Sequence, residues 1–66
     1  MITLANRLKE LRSRENWTQE EIANMLNISR NAYTLYETGK NKPTIDTLIK
    51  LADIYKTSID YIVGRY

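Results

Sequence analysis

Apolar residues recur along this chain at intervals of three and four, and nowhere do they alternate in the two-residue rhythm of a strand. Leu4, Leu8 and Leu11 set the first stripe, with Arg7, Lys9, Glu10, Arg12 and Arg14 filling much of the rest, and predict a helix from about Thr3 to Glu15. Ile22, Ala23 and Leu26 share one face of a second, short helix, and Ala32, Tyr33 and Tyr36 one face of a third. Ile45, Leu48, Leu51, Ala52 and Tyr55 mark a fourth, and Ile59, Ile62 and Val63 a short fifth that ends at Gly64. The pattern is all-α.

The residues between the stripes supply starts and stops. Thr18 and Glu21 have the spacing of a capping box, and Ser29, Thr44 and Ser58 are placed to cap the helices that follow them. Asn16 and Asn27 fall where a helix must end in a left-handed residue, a conformation Asn tolerates better than most. Trp17 fills the gap after the first helix, Gly39 closes the third, and Pro43 prevents a helix from running on through the loop Lys40-Asn41-Lys42-Pro43. Residues 18–38 therefore read as two short helices joined by the tight turn Leu26-Asn27-Ile28.

The 66 residues predict one domain, 1–66, with no attached sensor segment. A core of this size supplies only about 3–5 kcal/mol, so tight helix packing or assembly must supplement it. The chain has neither cysteine nor histidine, which excludes a disulfide framework and the usual zinc ligands. It has no glycine-rich phosphate loop and no carboxylate cluster suited to a metal, so the expectation is a protein that is not an enzyme and uses no cofactor or metal. No apolar run is long enough for a membrane and no secretory pattern opens the chain; a cytoplasmic protein without a membrane partner is expected.

Ten basic against eight acidic side chains leave a net charge of +2, too small to identify a polyanion partner. Distribution says more. Between Thr38 and Ile45 there are Lys40 and Lys42 but no acid, and Arg30 opens the third helix, so positive charge gathers in one region. Glu20, Glu21 and Asp46 lie at helix starts, where negative charge suits the macrodipole. On charge alone, a solvated loop explains the lysines equally well.

The order Leu8-Lys9-Glu10-Leu11-Arg12, Trp17-Thr18-Gln19-Glu20-Glu21-Ile22-Ala23, Ile28-Ser29-Arg30, Tyr36-Glu37-Thr38-Gly39, Pro43-Thr44 and Leu48-Ile49-Lys50-Leu51-Ala52 resembles the Cro and phage-repressor family of helix-turn-helix proteins. The likeness runs from Leu4 to Gly64 and implies the five-helix lambda-repressor-like fold, with the helix-turn-helix at about 18–38. Asn16 and Asn27 stand where that family usually has glycine, a substitution positive φ allows. Lys56-Thr57 replaces a frequent glycine-valine pair and makes the join before the fifth helix more polar.

The resemblance implies a transcriptional regulator, in expectation a repressor, that reads double-stranded DNA as a homodimer on a two-fold symmetric operator. In this motif the second helix of the pair enters the major groove and the first crosses the backbone. Arg30, Asn31, Thr34 and Leu35 are then the base readers: Arg30 matches the O6 and N7 acceptors of guanine, Asn31 matches adenine, and Leu35 with the Thr34 methyl covers a thymine methyl. Two alternatives stay open: Arg30 and Asn31 as ordinary exposed first-turn residues, and Leu35 half-buried against the fourth helix.

Phosphate contacts are expected from Gln19, Ser29, Lys40, Asn41, Lys42 and Thr44. Gln19 resembles the family residue that touches a phosphate and braces the first reader. In resembling proteins an arginine on the first helix pairs with a glutamate late in the reading helix, which implies a bridge between Arg12 and Glu37. Removing one partner of such a buried pair costs about 3–5 kcal/mol, whereas two surface charges contribute under about 1 kcal/mol. Ile54, Tyr61, Val63 and Tyr66 look more apolar than a small monomer can bury and are the candidate dimer surface, unless Tyr61 and Val63 close the monomer core. A protein-binding antitoxin or anti-repressor on the same fold remains the rival reading, and fold alone does not separate the two; with either, a regulatory protein partner is a further expectation.

Overall fold

The computed structural model describes residues 3–65, and over these the chain is five helices and connecting turns. They are α1 (Leu4–Arg14), α2 (Gln19–Leu26), α3 (Arg30–Glu37), α4 (Ile45–Tyr55) and α5 (Ile59–Val63). Each begins behind a hydroxyl residue: Thr3, Thr18, Ser29, Thr44 and Ser58 all accept a hydrogen bond from the backbone N–H three positions on, at 3.1 or 3.2 Å. This satisfies one of the amides that a helix start leaves orphaned. At Thr18 the box is complete, because the Thr18 N–H in turn donates to Glu21 Oε1 at 2.8 Å.

The stops are equally local. Asn16 and Asn27 adopt φ of 60°, and Gly39 follows α3 at φ 78°. At Gly39 it is the backbone conformation that favours glycine and not the space, since a Cβ there would meet only the Ala5 side chain at 3.9 Å. The turn it makes sends the Lys40 and Asn41 amides back to the Leu35 carbonyl at 3.1 and 3.2 Å. Lys56, standing where the resembling family often has glycine, ends α4 at φ 53°, a left-handed position that lysine itself does not favour.

Leu8, Leu11, Ile22, Ala23, Leu26, Tyr33, Tyr36, Leu48, Leu51 and Ile62 form one buried cluster drawn from all five helices. Helix α3 packs on α1 and α2, while α5 packs on α1 and α4. Trp17 occupies the α1–α2 turn and meets the Tyr55 ring at 5.7 Å between centroids. Ile45 departs from the predicted stripe: it is 66 % exposed. Leu48 and Leu51 point inward from α4, and the first residue of the helix lies past the edge of what they cover.

Helix α5 is fastened to α1 by a polar seam that runs from the buried Arg7 out to the exposed Arg14. The Arg7 guanidinium carbon lies 3.7 Å above the centre of the Tyr61 ring, while Arg7 Nη1 donates to Glu10 Oε1 at 2.9 Å. The Tyr61 hydroxyl donates to the same carboxylate oxygen at 3.4 Å, as does Arg14 Nη2. Tyr61 is thereby engaged within the monomer. Ile54, Tyr61 and Val63 are all partly buried against the core, and Tyr66 lies outside the described residues.

Candidate nucleic-acid interface

Helix α3 turns Tyr33, Tyr36 and Glu37 inward and leaves Arg30, Asn31 and Leu35 facing out, Leu35 being 39 % exposed. Thr34 sits half-buried on the flank beside α2. The face is held in place by a chain of hydrogen bonds through three helices. Arg12 on α1 grips Glu37 with both edges of its fork, Nε to Oε2 at 2.7 Å and Nη2 to Oε1 at 3.1 Å. Its remaining Nη1 donates to the Trp17 carbonyl at 2.8 Å and so also secures the α1–α2 turn. Gln19 Nε2, at the start of α2, donates to Glu37 Oε1 at 3.2 Å, and the Thr34 hydroxyl donates to Gln19 Oε1 at 2.7 Å.

Glu37 is only 2 % exposed. Burial by itself would raise its carboxyl, but the Arg12 hydrogen bonds, the nearby Tyr33 hydroxyl, the Arg12 charge and the Gln19 amide outweigh that and hold it below the ordinary value, so it stays ionised. The same pairing raises Arg12 further. Burial, then the neighbouring Glu37 charge, pushes the Tyr33 phenol well up and the Tyr55 phenol up to about 12. The Tyr33 hydroxyl feels the carboxylate closely without reaching hydrogen-bond geometry to it.

The resemblance implied that Gln19 braces the first reader, Arg30. Among the described residues Gln19 instead bonds Thr34 and Glu37. The buried carboxylate accepts the amide nitrogen and turns the amide oxygen toward Thr34. Neither link has a sequence signal, because Thr34 and Glu37 lie 15 and 18 residues from Gln19.

The flanking residues sit on both sides of α3. A polar cleft lined by Arg12, Thr18, Gln19, Glu20 and Arg30 opens beside the start of α2. On the other side Lys40, Asn41, Lys42 and Thr44 are exposed in the α3–α4 connection. Asn41 Oδ1 accepts from the Lys42 amide at 3.0 Å, and Thr44 uses its oxygen to cap α4. Ser29 accepts from the Ala32 amide and keeps its proton free for an anion. Of the residues named from sequence, Arg30, Asn31, Lys40, Lys42 and Ser29 are all exposed; Gln19 and Thr34 are tied into the scaffold.

Comparisons agree with this geometry. A helix-turn-helix family model matches residues 8–62. The HTH-type transcriptional regulator ImmR of Bacillus subtilis is 42 % identical over 64 residues, covering 97 % of this chain and 50 % of that protein. The cryptic phage CTXphi transcriptional repressor RstR of Vibrio cholerae is 38 % identical over 63 residues, covering 96 % of this chain and 56 % of its own length. The chain thus spans about half the length of the curated relatives it matches. A Listeria innocua transcriptional regulator superposes with a TM-score of 0.90 at 34 % identity, over 96 % of this chain and 61 % of that one. The P22 c2 repressor, solved with a synthetic operator, shares the fold with a TM-score of 0.88 at 21 % identity, over 96 % of both chains. The capped helix pair, its buried anchor and its relatives converge, and the chain belongs to the helix-turn-helix family.

Proposed function

We propose that this chain is a sequence-specific double-stranded DNA-binding domain of a transcriptional repressor, acting as a homodimer, with binding rather than catalysis as its role. The observation that carries the reading is the division of α3: its inner face is anchored by Arg12 and Glu37, while Arg30 and Asn31 are exposed and, among the described residues, spend no side-chain hydrogen bond within the chain. A helix so fixed presents its readers at low conformational cost on binding. Arg30 forks onto guanine and Asn31 pairs with adenine, each such pair contributing about 1–3 kcal/mol of discrimination. Leu35 covers an apolar base edge. Ser29, Lys40 and Lys42, with the amides at the start of α2 beside Gln19, hold phosphates; Asn41 and Thr44 complete that flank.

A single domain reads few base pairs, so a second copy on the next half-site, about one helical turn away, supplies the rest. The rims of Ile54, Tyr61 and Val63 that remain accessible are the proposed meeting surface.

Selection of bound sequences from a randomised duplex pool tests the reading. The expected winner is a two-fold symmetric site whose binding is lost in Arg30→Ala. Lys40→Ala weakens all sequences alike and lowers the slope of log affinity against log salt by nearly one unit, about 0.9 for each phosphate neutralised. A pool that yields no site, with weak and sequence-blind binding at moderate salt, overturns it in favour of a protein partner, as for an antitoxin or anti-repressor.

A further inference from the structure

Gln19 and Thr34 are half-buried polar residues whose hydrogen bonds run in one direction only. Glu37 is ionised and can only accept. Its Oε1 therefore takes a proton from the Gln19 amide nitrogen, at 3.2 Å, and the reverse orientation would set the amide oxygen against a carboxylate. With its nitrogen committed, Gln19 offers only its oxygen to Thr34, 2.7 Å away, and the Thr34 hydroxyl must donate its single proton there. What the Thr34 hydroxyl still presents beyond the scaffold is lone pairs.

Resting on the DNA reading above, we propose that Thr34 is a polarity-fixed specificity residue: a hydrogen-bond acceptor in the major groove that recognises the exocyclic amino group of adenine or cytosine. A threonine free to rotate is neutral toward base edges, because its hydroxyl serves as donor or acceptor and matches either partner. Here the chain from Arg12 through Glu37 and Gln19 removes the donor option. A carbonyl edge, O4 of thymine or O6 of guanine, finds an acceptor opposite an acceptor and is rejected. The placement suits the role, since Thr34 lies one helical turn beyond Arg30 on the flank of the outward face. Gln19 is then a positioning residue for Thr34.

The test starts from the site selected by the wild-type protein and repeats the selection with Thr34→Val, which keeps the shape and deletes the hydroxyl, and with Thr34→Ser, which keeps the hydroxyl. Thr34→Val flattens the preference at one base pair per half-site and Thr34→Ser retains it. At that pair the amino group is then deleted alone, by replacing adenine with purine or cytosine with 2-pyrimidinone. The wild-type protein loses about five-fold in affinity, the size of one hydrogen bond of about 1 kcal/mol, and Thr34→Val loses none. An enriched site that Thr34→Val leaves unchanged, or an amino deletion that wild type and Thr34→Val feel equally, overturns the assignment while leaving the DNA reading intact. A wild-type selection with no site overturns both.

Discussion

Two seams built from the same chemistry hold this molecule together, and they differ in what surrounds them. Between α1 and α3, Arg12 and Glu37 meet with side chains 20 % and 1 % exposed; at the α1–α5 seam the carboxylate is Glu10, 38 % exposed, which accepts from Tyr61 on α5 and from Arg14, 59 % exposed, on its own helix. The first pair sits in a network of five hydrogen bonds that ties three helices and the α1–α2 turn together. The second lets several donors share one carboxylate oxygen near water. Loss of a partner therefore means different things at the two sites. At the buried seam it strands a charge that has no water to turn to; at the exposed one solvent steps in. The buried seam fixes α3, the helix proposed to read the bases.

Breaking the comparison at its strong end gives the largest effect. Glu37→Ala leaves Arg12 and Gln19 without their acceptor and costs about 3–5 kcal/mol in denaturant unfolding, nearly everything a core of this size supplies. Acid does the same by degrees. Because the folded carboxyl lies below its ordinary value of 4.5, its contribution is complete above that value and is lost as pH falls through the lower folded one. A Glu37→Gln variant that still folds has a flatter acid limb, measured as midpoint denaturant concentration against pH.

At the weaker seam Arg7→Ala removes both the stacking on Tyr61 and the packing of a largely covered stem, and costs about 1–2 kcal/mol. A loss matching that of Glu37→Ala would erase the contrast between the seams. Lys56→Gly works on the other tether of α5, relieving a left-handed backbone, and raises stability by about 0.5–1 kcal/mol in the same assay. Smallest is Arg14→Ala, expected to change stability by under about 0.5 kcal/mol, a difference that vanishes at high salt.

What the sequence disclosed follows the range of the forces involved. Thr18, Ser29, Thr44 and Ser58 cap the helices they precede, and Asn16, Asn27 and Gly39 take positive φ, because these choices are decided within a few residues. Lys56 takes the same conformation although nothing in lysine's chemistry favours it; the only signal is its place where the resembling family often has glycine. Periodicity placed Ile45 on a core stripe, but only packing decides how far a stripe is covered. Arg7 reads as surface filler and is buried beneath α5, because the aromatic ring that covers it is 54 residues away along the chain. The pairing of Gln19 with Thr34 was illegible for a similar reason: two polar residues on different helices give no pattern until the helices are docked.

Helix α3 has eight residues, and even α1 and α4 have only eleven. Isolated helices shorter than about 12–15 residues are marginal in water, whatever their caps. A peptide cut to α3 alone is therefore a coil in solution, and the proposed base-reading face exists only while the whole domain is folded. Affinity and folding are then a single thermodynamic cycle: every ligand molecule that engages α3 withdraws native protein from the unfolding equilibrium, and the melting temperature climbs with the logarithm of its concentration.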